Sequence, residues 1–367
     1  MTGKLVYENL KNRPMRSLLS ILLIGVPVTL ILCLVGLSHG FIEDSQKRAR
    51  GIGADILMRP KSSSFLSLNG APIPQQLVAY IAKQPHVKMA TGVFSVAAEG
   101  ITLGATGINY KEFAQMSGGF RFLSGGPFQR PDDVIFDDYY ANQTKAHVGD
   151  SITLLNSKWH VCGIMESGKL SHIVLPIDTL QQRTGNHGNV NQIYIRVDDP
   201  ANIQAAIQSL KSNPGLEGYP IFSMEEFTSL LNVNNIPALA GFIAVVMGIG
   251  VVIGFAVVCL SMYMAVLQRT REIGILKSLG ASKGFILGII LSEAFFLGLG
   301  GTILGIVMSY GAAALIHALK PASLPMIIVF EWWPIAGAIT VVGALLGALY
   351  PGLTAAAHDP IEALSYE

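Results

Sequence analysis

The chain has 367 residues, of which 51% are hydrophobic and 13% charged, and its formal net charge is +1. That charged share is about half the ~25% of ordinary soluble domains, and a near-zero net charge supplies no basic field for nucleic acid. The length suits two domains or one domain with a membrane region, and the apolar excess selects the second.

Residues 1–17 carry Lys4, Lys11, Arg13 and Arg16, a basic flank expected on the cytoplasmic side. An apolar run near Leu18 to Leu37 follows, giving a first transmembrane helix over 18–39. A signal peptide is the alternative, but its apolar core is only about 7–15 residues. Leu32 also fits poorly before a lipoprotein-type Cys33, so the run reads as a retained anchor.

Residues 40–235 read as an α+β extracytoplasmic domain, drawn as two small lobes on a stalk built from the neighbouring spans. "PIPQQLVAYIAKQP" predicts an amphipathic helix, and "DDVIFDDYYANQTKAHVGD" a strand, a helix and a turn at Gly149–Asp150. "SITLLNSKWHVCGIM" predicts two strands turning at Asn156–Lys158, and "NQIYIRVD" alternates as a strand. Asp199 then caps a helix with Pro200 at its first position, burying Ile203, Ala206, Ile207 and Leu210. "GIMESGKL", at 163–170, nearly matches the phosphate-binding GxxxxGK[ST] pattern. Leu170 replaces the hydroxyl that would hold Mg²⁺, and a strand-like segment follows where a helix is needed, so it reads as a surface turn. "SGGFRFLSGGPF" reads as a loop. The three cysteines allow no disulfide framework within one external domain, and the eight histidines lack ligand spacing.

Three more spans are predicted at 236–267, 285–319 and 333–350, each near or above the ~20 helical residues that cross a bilayer. The second and third spans exceed that need and must tilt or project. Between them, 268–284 predicts a short amphipathic helix. Ile273, Leu276 and Leu279 form its apolar stripe, widened by Ile275, with Thr270, Arg271, Gly274, Lys277 and Ser278 on the other side. Loop 320–332 is short and extracytoplasmic, and 351–367 follow the last span on the cytoplasmic side. Short-loop Lys/Arg counts place both termini and 268–284 in the cytoplasm; Lys47, Arg48, Arg50 and Arg59 oppose this only from a long segment, which translocates regardless of charge.

Small residues recur at close-packing spacing in Gly250 with Gly254, Gly301 with Gly305 and Gly343 with Gly347. Glu293 is an intramembrane carboxylate, expected to pair with Arg271, Lys277, Lys283 or Arg16 rather than to relay protons. "EWWP" at 331–334 is an interfacial anchor opening the last span. The fold class is therefore a polytopic α-helical membrane protein, with four transmembrane helices and a large α+β extracytoplasmic domain between helices 1 and 2.

"RTREIGILKSLGASKGFILGIILSEAFFLGLGGTILGI" closely resembles the signature region of FtsX/MacB-type ABC permeases, the type VII or mechanotransmission family. "YPGLTAAAHDPIEAL" is similar to the family's closing motif, which implies a cytoplasmic C-terminal helix over 351–367, although it lacks basic residues after Tyr350. "ENLKNRPMRSLLSILLI" resembles the N-terminal elbow, "GIGADILMRP" the exit from the first span, and "HVGDSITLLNSKWHVCGIM" a stretch of the MacB-like periplasmic core domain.

The resemblance implies that 268–284 is a coupling helix docking on a separate cytoplasmic ABC ATPase, in two copies, which binds ATP and Mg. Ile275, Leu276 and Leu279 would fill the partner's groove while Arg271, Glu272 and Lys277 satisfy its polar rim. It further implies a second permease copy or a paralogue, membrane lipid around the spans, and a periplasmic adaptor or substrate-handling protein. The location implied is a bacterial inner membrane with the large domain in the periplasm. The expected function is a permease subunit without its own catalytic or nucleotide site. ATP hydrolysis is coupled to export of, or external work on, a lipoprotein or lipid, peptide, antibiotic or haem. Alternatives are a membrane-anchored sensor relaying an external ligand signal, an FtsX-like activator of cell-wall hydrolases, and a membrane enzyme, for which no catalytic constellation is visible. A helix lying in the lipid interface accounts equally for the amphipathicity of 268–284.

Overall fold

A run of apolar residues with good helix formers produces α1, Pro14–Arg50, whose 37 residues include Pro27. At 1.5 Å per residue it is about 55 Å long, well beyond the ~30 Å of hydrocarbon. The computed structural model describes residues 14–61, 63, 72–99, 103–232, 235 and 237–357. The elbow expected over 1–17 lies almost wholly outside these, as does the side chain of Arg16. The chain forms two units, one of residues up to His39, Ala238–Leu315 and from Met326, the other of Gly40–Pro237 and Ile316–Pro325.

The second unit is an α+β domain. Its elements in order are β1 (Ile56–Met58), β2 (Ile73–Pro74), α2 (Gln76–Ile81), β3 (Val87–Glu99), β4 (Leu103–Ile108) and α3 (Tyr110–Ser117). There follow β5 (Phe122–Gly125), β6 (Asp133–Asp137), α4 (Asp138–Thr144), β7 (Ser151–Leu154), β8 (Ser157–Met165) and β9 (Ile173–Pro176). The domain ends with α5 (Ile177–Thr184), β10 (Asn189–Val190), β11 (Gln192–Val197), α6 (Ile203–Lys211), β12 (Ile221–Ser223) and α7 (Met224–Leu230). A ten-stranded sheet runs β12-β1-β11-β3-β4-β9-β6-β8-β5, with β7 on β8. β4/β9 and β6/β8 are parallel; the other pairs are antiparallel.

Local sequence explains several of these elements. β8 alternates buried and part-exposed positions, with Trp159, Val161 and Met165 inward. Asp199 caps a 3₁₀ turn, Pro200–Asn202, through Ala201 N before α6 buries Ala206, Ile207 and Leu210. The expected helix at 72–85 shrinks to the strand β2 and the six-residue α2, because Ile73 and Pro74 pair with β10 instead. The two expected lobes are not separate. β3 is 13 residues long; Val87–Val93 pair with β11 and Phe94–Glu99 with β4, so one strand stitches both halves into a single sheet. The loop after the third span belongs to this unit. Ala322 is buried in its core, and Gln143 Oε1 accepts from the backbone N–H groups of Ala322 and Ser323 at 3.2 Å.

The first unit joins the start of α1 to α8 (Pro237–Leu267), α9 (Thr270–Ser278), α10 (Lys283–Leu319) and α11 (Trp332–Ala357). With α1, four helices among the described residues are long and apolar enough to cross a membrane. The last runs through Pro351 to Ala357 without a break, so the separate helix expected from 351 does not begin there, and 358–367 lie outside the described residues. Lipid supplies no hydrophobic drive between helices, so close packing must hold them. α1 and α10 meet where a Cβ on Gly301 would strike Ile24, and one on Gly305 would lie 2.6 Å from Val28 Cβ and 2.9 Å from Gly25 O. Thr29 Oγ1 donates across this contact to Gly305 O at 3.1 Å. Gly347 packs on α8, 2.7 Å from Phe255 O by the same measure. The glycine pairs expected from spacing split here. Gly250 makes only ordinary contacts with Ile31 and Pro27, and a Cβ on Gly254 or Gly343 would meet nothing within 4 Å. Spacing puts two glycines on one face; the crossing point decides which is used. Trp333 opens α11 against Phe330 and Tyr310, with ring centroids 4.9 and 5.9 Å away.

Candidate functional site

The connection between the second and third spans is built from local signals. Glu272 lies in the first turn of α9 and Lys277 in its last, each complementing the helix dipole. The helix stops at Gly280, whose φ of +94° lets the N–H groups of Gly280 and Ala281 return to Lys277 O and Leu276 O at 3.0 Å. Ser282 Oγ then accepts from Phe285 N at 3.2 Å and starts α10.

The roll of α9 differs from the sequence expectation. Gly274, placed on the polar side by spacing, is buried. Ile273 packs against the core of the bundle beside Met262, Val266, Ile286 and Ile290. Lys277 does not join an outer polar rim: its Nζ donates to Ala356 O at 2.9 Å, a cation set against the C-terminal carbonyls of α11. Leu276 is half-buried and lines a cleft of about 100 Å³ with Ile273, Arg269 and Glu293. Outward stand Arg271, Glu272, Ile275 and Leu279, the last two 45% and 80% exposed. The stripe therefore divides, with Ile273 serving the bundle and Ile275 with Leu279 left for something outside it.

Glu293 is 3% exposed, and its Oε2 accepts from Arg269 Nη1 at 3.3 Å. Arg269 stands at the N-cap of α9, so this ion pair ties the entry of the short helix to α10. Arg269 was not among the partners expected, which were Arg271, Lys277, Lys283 or Arg16; Arg271 and Lys283 are both exposed, and the Arg16 side chain lies outside the described residues.

Residues 163–170 do not fit a nucleotide. Lys169 Nζ donates to Ser117 O and Gly119 O at 2.8 and 2.7 Å, Leu170 has a φ of +55°, and β9 follows where a phosphate cradle needs a helix. The lysine is spent on closing a loop.

Sequence reasoning missed a buried ionic cluster in the α+β domain. Arg48 donates to Asp44 Oδ2 at 2.6 Å and to Asp137 Oδ2 at 2.8 Å, and His172 Nδ1 lies 2.8 Å from the same Asp137 oxygen. Burial pushes the Asp137 carboxyl up, but the His172 hydrogen bond and the charges of His172 and Arg48 outweigh it and hold it below its usual range. The only signal in sequence was a pair of acidic residues ending an apolar strand.

Two family models match the chain: the MacB-like periplasmic core domain over residues 17–213 and the FtsX-like permease C-terminal region over 244–360. An uncharacterized ABC transporter permease, YknZ of Bacillus subtilis, is 32% identical over 60% of this chain and 55% of its own. The macrolide export ATP-binding/permease protein MacB of Sodalis glossinidius is 25% identical over 96% of this chain and 58% of its own. The chain thus spans somewhat over half the length of the curated relatives it matches. The crystal structure of the periplasmic region of MacB from Actinobacillus actinomycetemcomitans is similar at 15% identity and a TM-score of 0.38, covering 50% of this chain and 94% of that one.

Proposed function

Since the chain belongs to the ABC transporter permeases with an FtsX-like C-terminal region and a MacB-like periplasmic core domain, we propose that it works as the transmembrane subunit driven by a cytoplasmic ABC ATPase. The observation that carries this reading is the outward face of α9. Ile275 and Leu279 are exposed beside Arg271 and Glu272, on a helix fixed from behind by Ile273, the Lys277–Ala356 bond and the Arg269–Glu293 pair. An apolar pair flanked by charge, on a helix its own bundle already holds, suits a groove on a second protein. Hydrolysis by the partner, with ATP and Mg held there, would move α9, and the Arg269–Glu293 pair would pass that movement to α10. The α+β domain would then act on cargo outside the membrane. Two ATPases and two permeases make the working unit, the second permease being a copy or a paralogue, in a bacterial inner membrane with both termini inside. Among the expected cargoes, the antibiotic class is the one that relatives named for macrolide export bring forward.

The test is affinity purification of the tagged chain from its native host in mild detergent. Wild type should recover an ABC ATPase identified by mass spectrometry, and Leu279→Asp should lose it while still inserting. Leu276→Asp is a poorer probe, because Leu276 is half-buried in the protein's own cleft. Equal ATPase recovery with Leu279→Asp and Ile275→Asp would contradict the docking face.

A further inference from the structure

A second cavity, of about 250 Å³, lies wholly within the α+β domain, between one face of the sheet and the end of α1. Its volume is just under the ~300–1,000 Å³ of drug-sized ligand sites, so it suits a small molecule or one end of a longer one. Its lining is chemically divided. Ile52, Leu57, Leu170, Phe227 and Leu231 make an apolar wall, whereas Ser95 and Thr106 place two hydroxyls 3.0 Å apart on neighbouring strands. Among the described residues, the charged members of the lining are Arg48, which carries Asp44 and Asp137 behind it, and Arg59; they are 6% and 4% exposed.

A buried guanidinium nitrogen is costly to leave without an acceptor. Arg48 is held by Asp44 and Asp137, yet its Nη1 is buried and makes no hydrogen bond among the described residues. Arg59 stacks its guanidinium 5.9 Å from the Phe227 ring centroid, at the junction of the apolar and cationic walls. Burial pushes the Arg59 guanidinium down, only partly offset by Tyr194, which marks a charge drawn out of water. β4 supplies the third element. Gly104 and Thr106 alternate onto the cavity side while Leu103 and Ala105 enter the core behind. A Cβ on Gly104 would meet only Val96 O, at 3.6 Å.

We infer that this cavity binds an anionic amphiphile, a single carboxylate or phosphate carried on an apolar body. The oxyanion sits between Arg48 and Arg59, within reach of Ser95 and Thr106, and the apolar body lies along Leu57, Leu170 and Phe227. This site is independent of the ATPase reading, since it needs no partner subunit.

The test uses the full chain in nanodiscs of neutral phosphatidylcholine and isothermal titration calorimetry. Octanoate and octyl phosphate are the anionic probes, and octanol is the uncharged comparator. At least one anion should bind saturably at one per chain, and octanol at least tenfold more weakly. Octanoate alone would assign the site to carboxylates, octyl phosphate alone to phosphate esters, and both to either source. Gly104→Leu fills the cavity and keeps both arginines; Arg59→Gln keeps the cavity and removes a charge. Each should weaken binding at least tenfold. Because Gly104→Leu adds its side chain into open space, it remains informative if Arg59→Gln fails to fold. Non-saturable uptake, octanol binding as tightly as the anions, or wild-type affinity in Gly104→Leu would overturn the assignment.

Discussion

Replacing Arg269 by Met should destabilise the membrane unit far more than replacing it together with its partner. Glu293 is 3% exposed and the Arg269 side chain 11%, so the pair is shielded from water. Removing one member of such a pair costs about 3–5 kcal/mol, because the other charge stays buried. Placing an isolated charge at the centre of a span costs a comparable ~2.5–3.5 kcal/mol on insertion scales. Replacing both members by apolar residues of similar volume is often neutral or better. Arg269→Met should therefore lose about 3–5 kcal/mol, and Arg269→Met/Glu293→Leu should lie within about 1 kcal/mol of wild type. The assay is denaturant unfolding of the purified chain in detergent, read as a double-mutant cycle. If the proposed ATPase is recovered, a second readout is its hydrolysis rate in the complex, which should fall in the double variant even with stability restored, because α9 is no longer tied to α10. A single variant as stable as wild type, or a double variant as damaged as the single, would refute the reasoning.

At the crossing of α1 and α10, Gly305→Leu should cost about 1–3 kcal/mol by overpacking against Val28 and Gly25. Gly343→Ala should stay within about 0.5 kcal/mol of wild type, and thermal unfolding of the two variants separates them. Asp137 has a carboxyl held below its usual range, so its stabilisation is present above the unfolded value near ~3.9 and is lost as pH falls through the lower folded value. Asp133 follows the same sign: burial raises it, but the backbone N–H groups of Gln129 and Arg130, with His160, lower it further. Circular dichroism between pH 7 and 2 should show flat stability and then a decline in acid, and Asp137→Asn should lower the plateau and flatten the decline; an unchanged acid slope would contradict this. Burial, assisted by Asp133, pushes the Cys162 thiol up to about 12. Alkylation of Cys162 near pH 8 should then be on the order of a thousandfold slower than in the unfolded chain, with mass spectrometry of the tryptic peptide as the readout.

The spans were legible because a bilayer demands a long uninterrupted apolar run, which composition alone reveals. β11, β8 and α6 were legible for local reasons, the first through its alternation, the second through the turn at Asn156–Lys158 and the third through the Asp199–Pro200 cap. The resemblance of 268–284 to a family signature located α9, but spacing did not give its roll. An apolar stripe shows that a helix has a partner without showing which side its own bundle takes, so Gly274 and Lys277 were set outward and are held inward. Glu293 was recognised as needing a cation, and Arg269 was passed over because it precedes the helical stripe. The Arg48–Asp137–His172 cluster joins positions 89 and 35 residues apart, which no local pattern encodes. The cavity above it was invisible for the same reason. Its two arginines looked like loop charges after the first span, and only the fold buries them.

The most direct measurement is site-specific photocrosslinking in cells, with a photoreactive amino acid at Leu279 or Ile275 and, as comparison, at Leu346. Leu346 is 55% exposed on α11, within a span. Crosslinks from 279 and 275 to an ABC ATPase, with none from 346, are predicted. Crosslinks from 279 and 275 only to lipid, in a chain shown to be inserted and folded, would contradict the docking face and make α9 an interfacial helix.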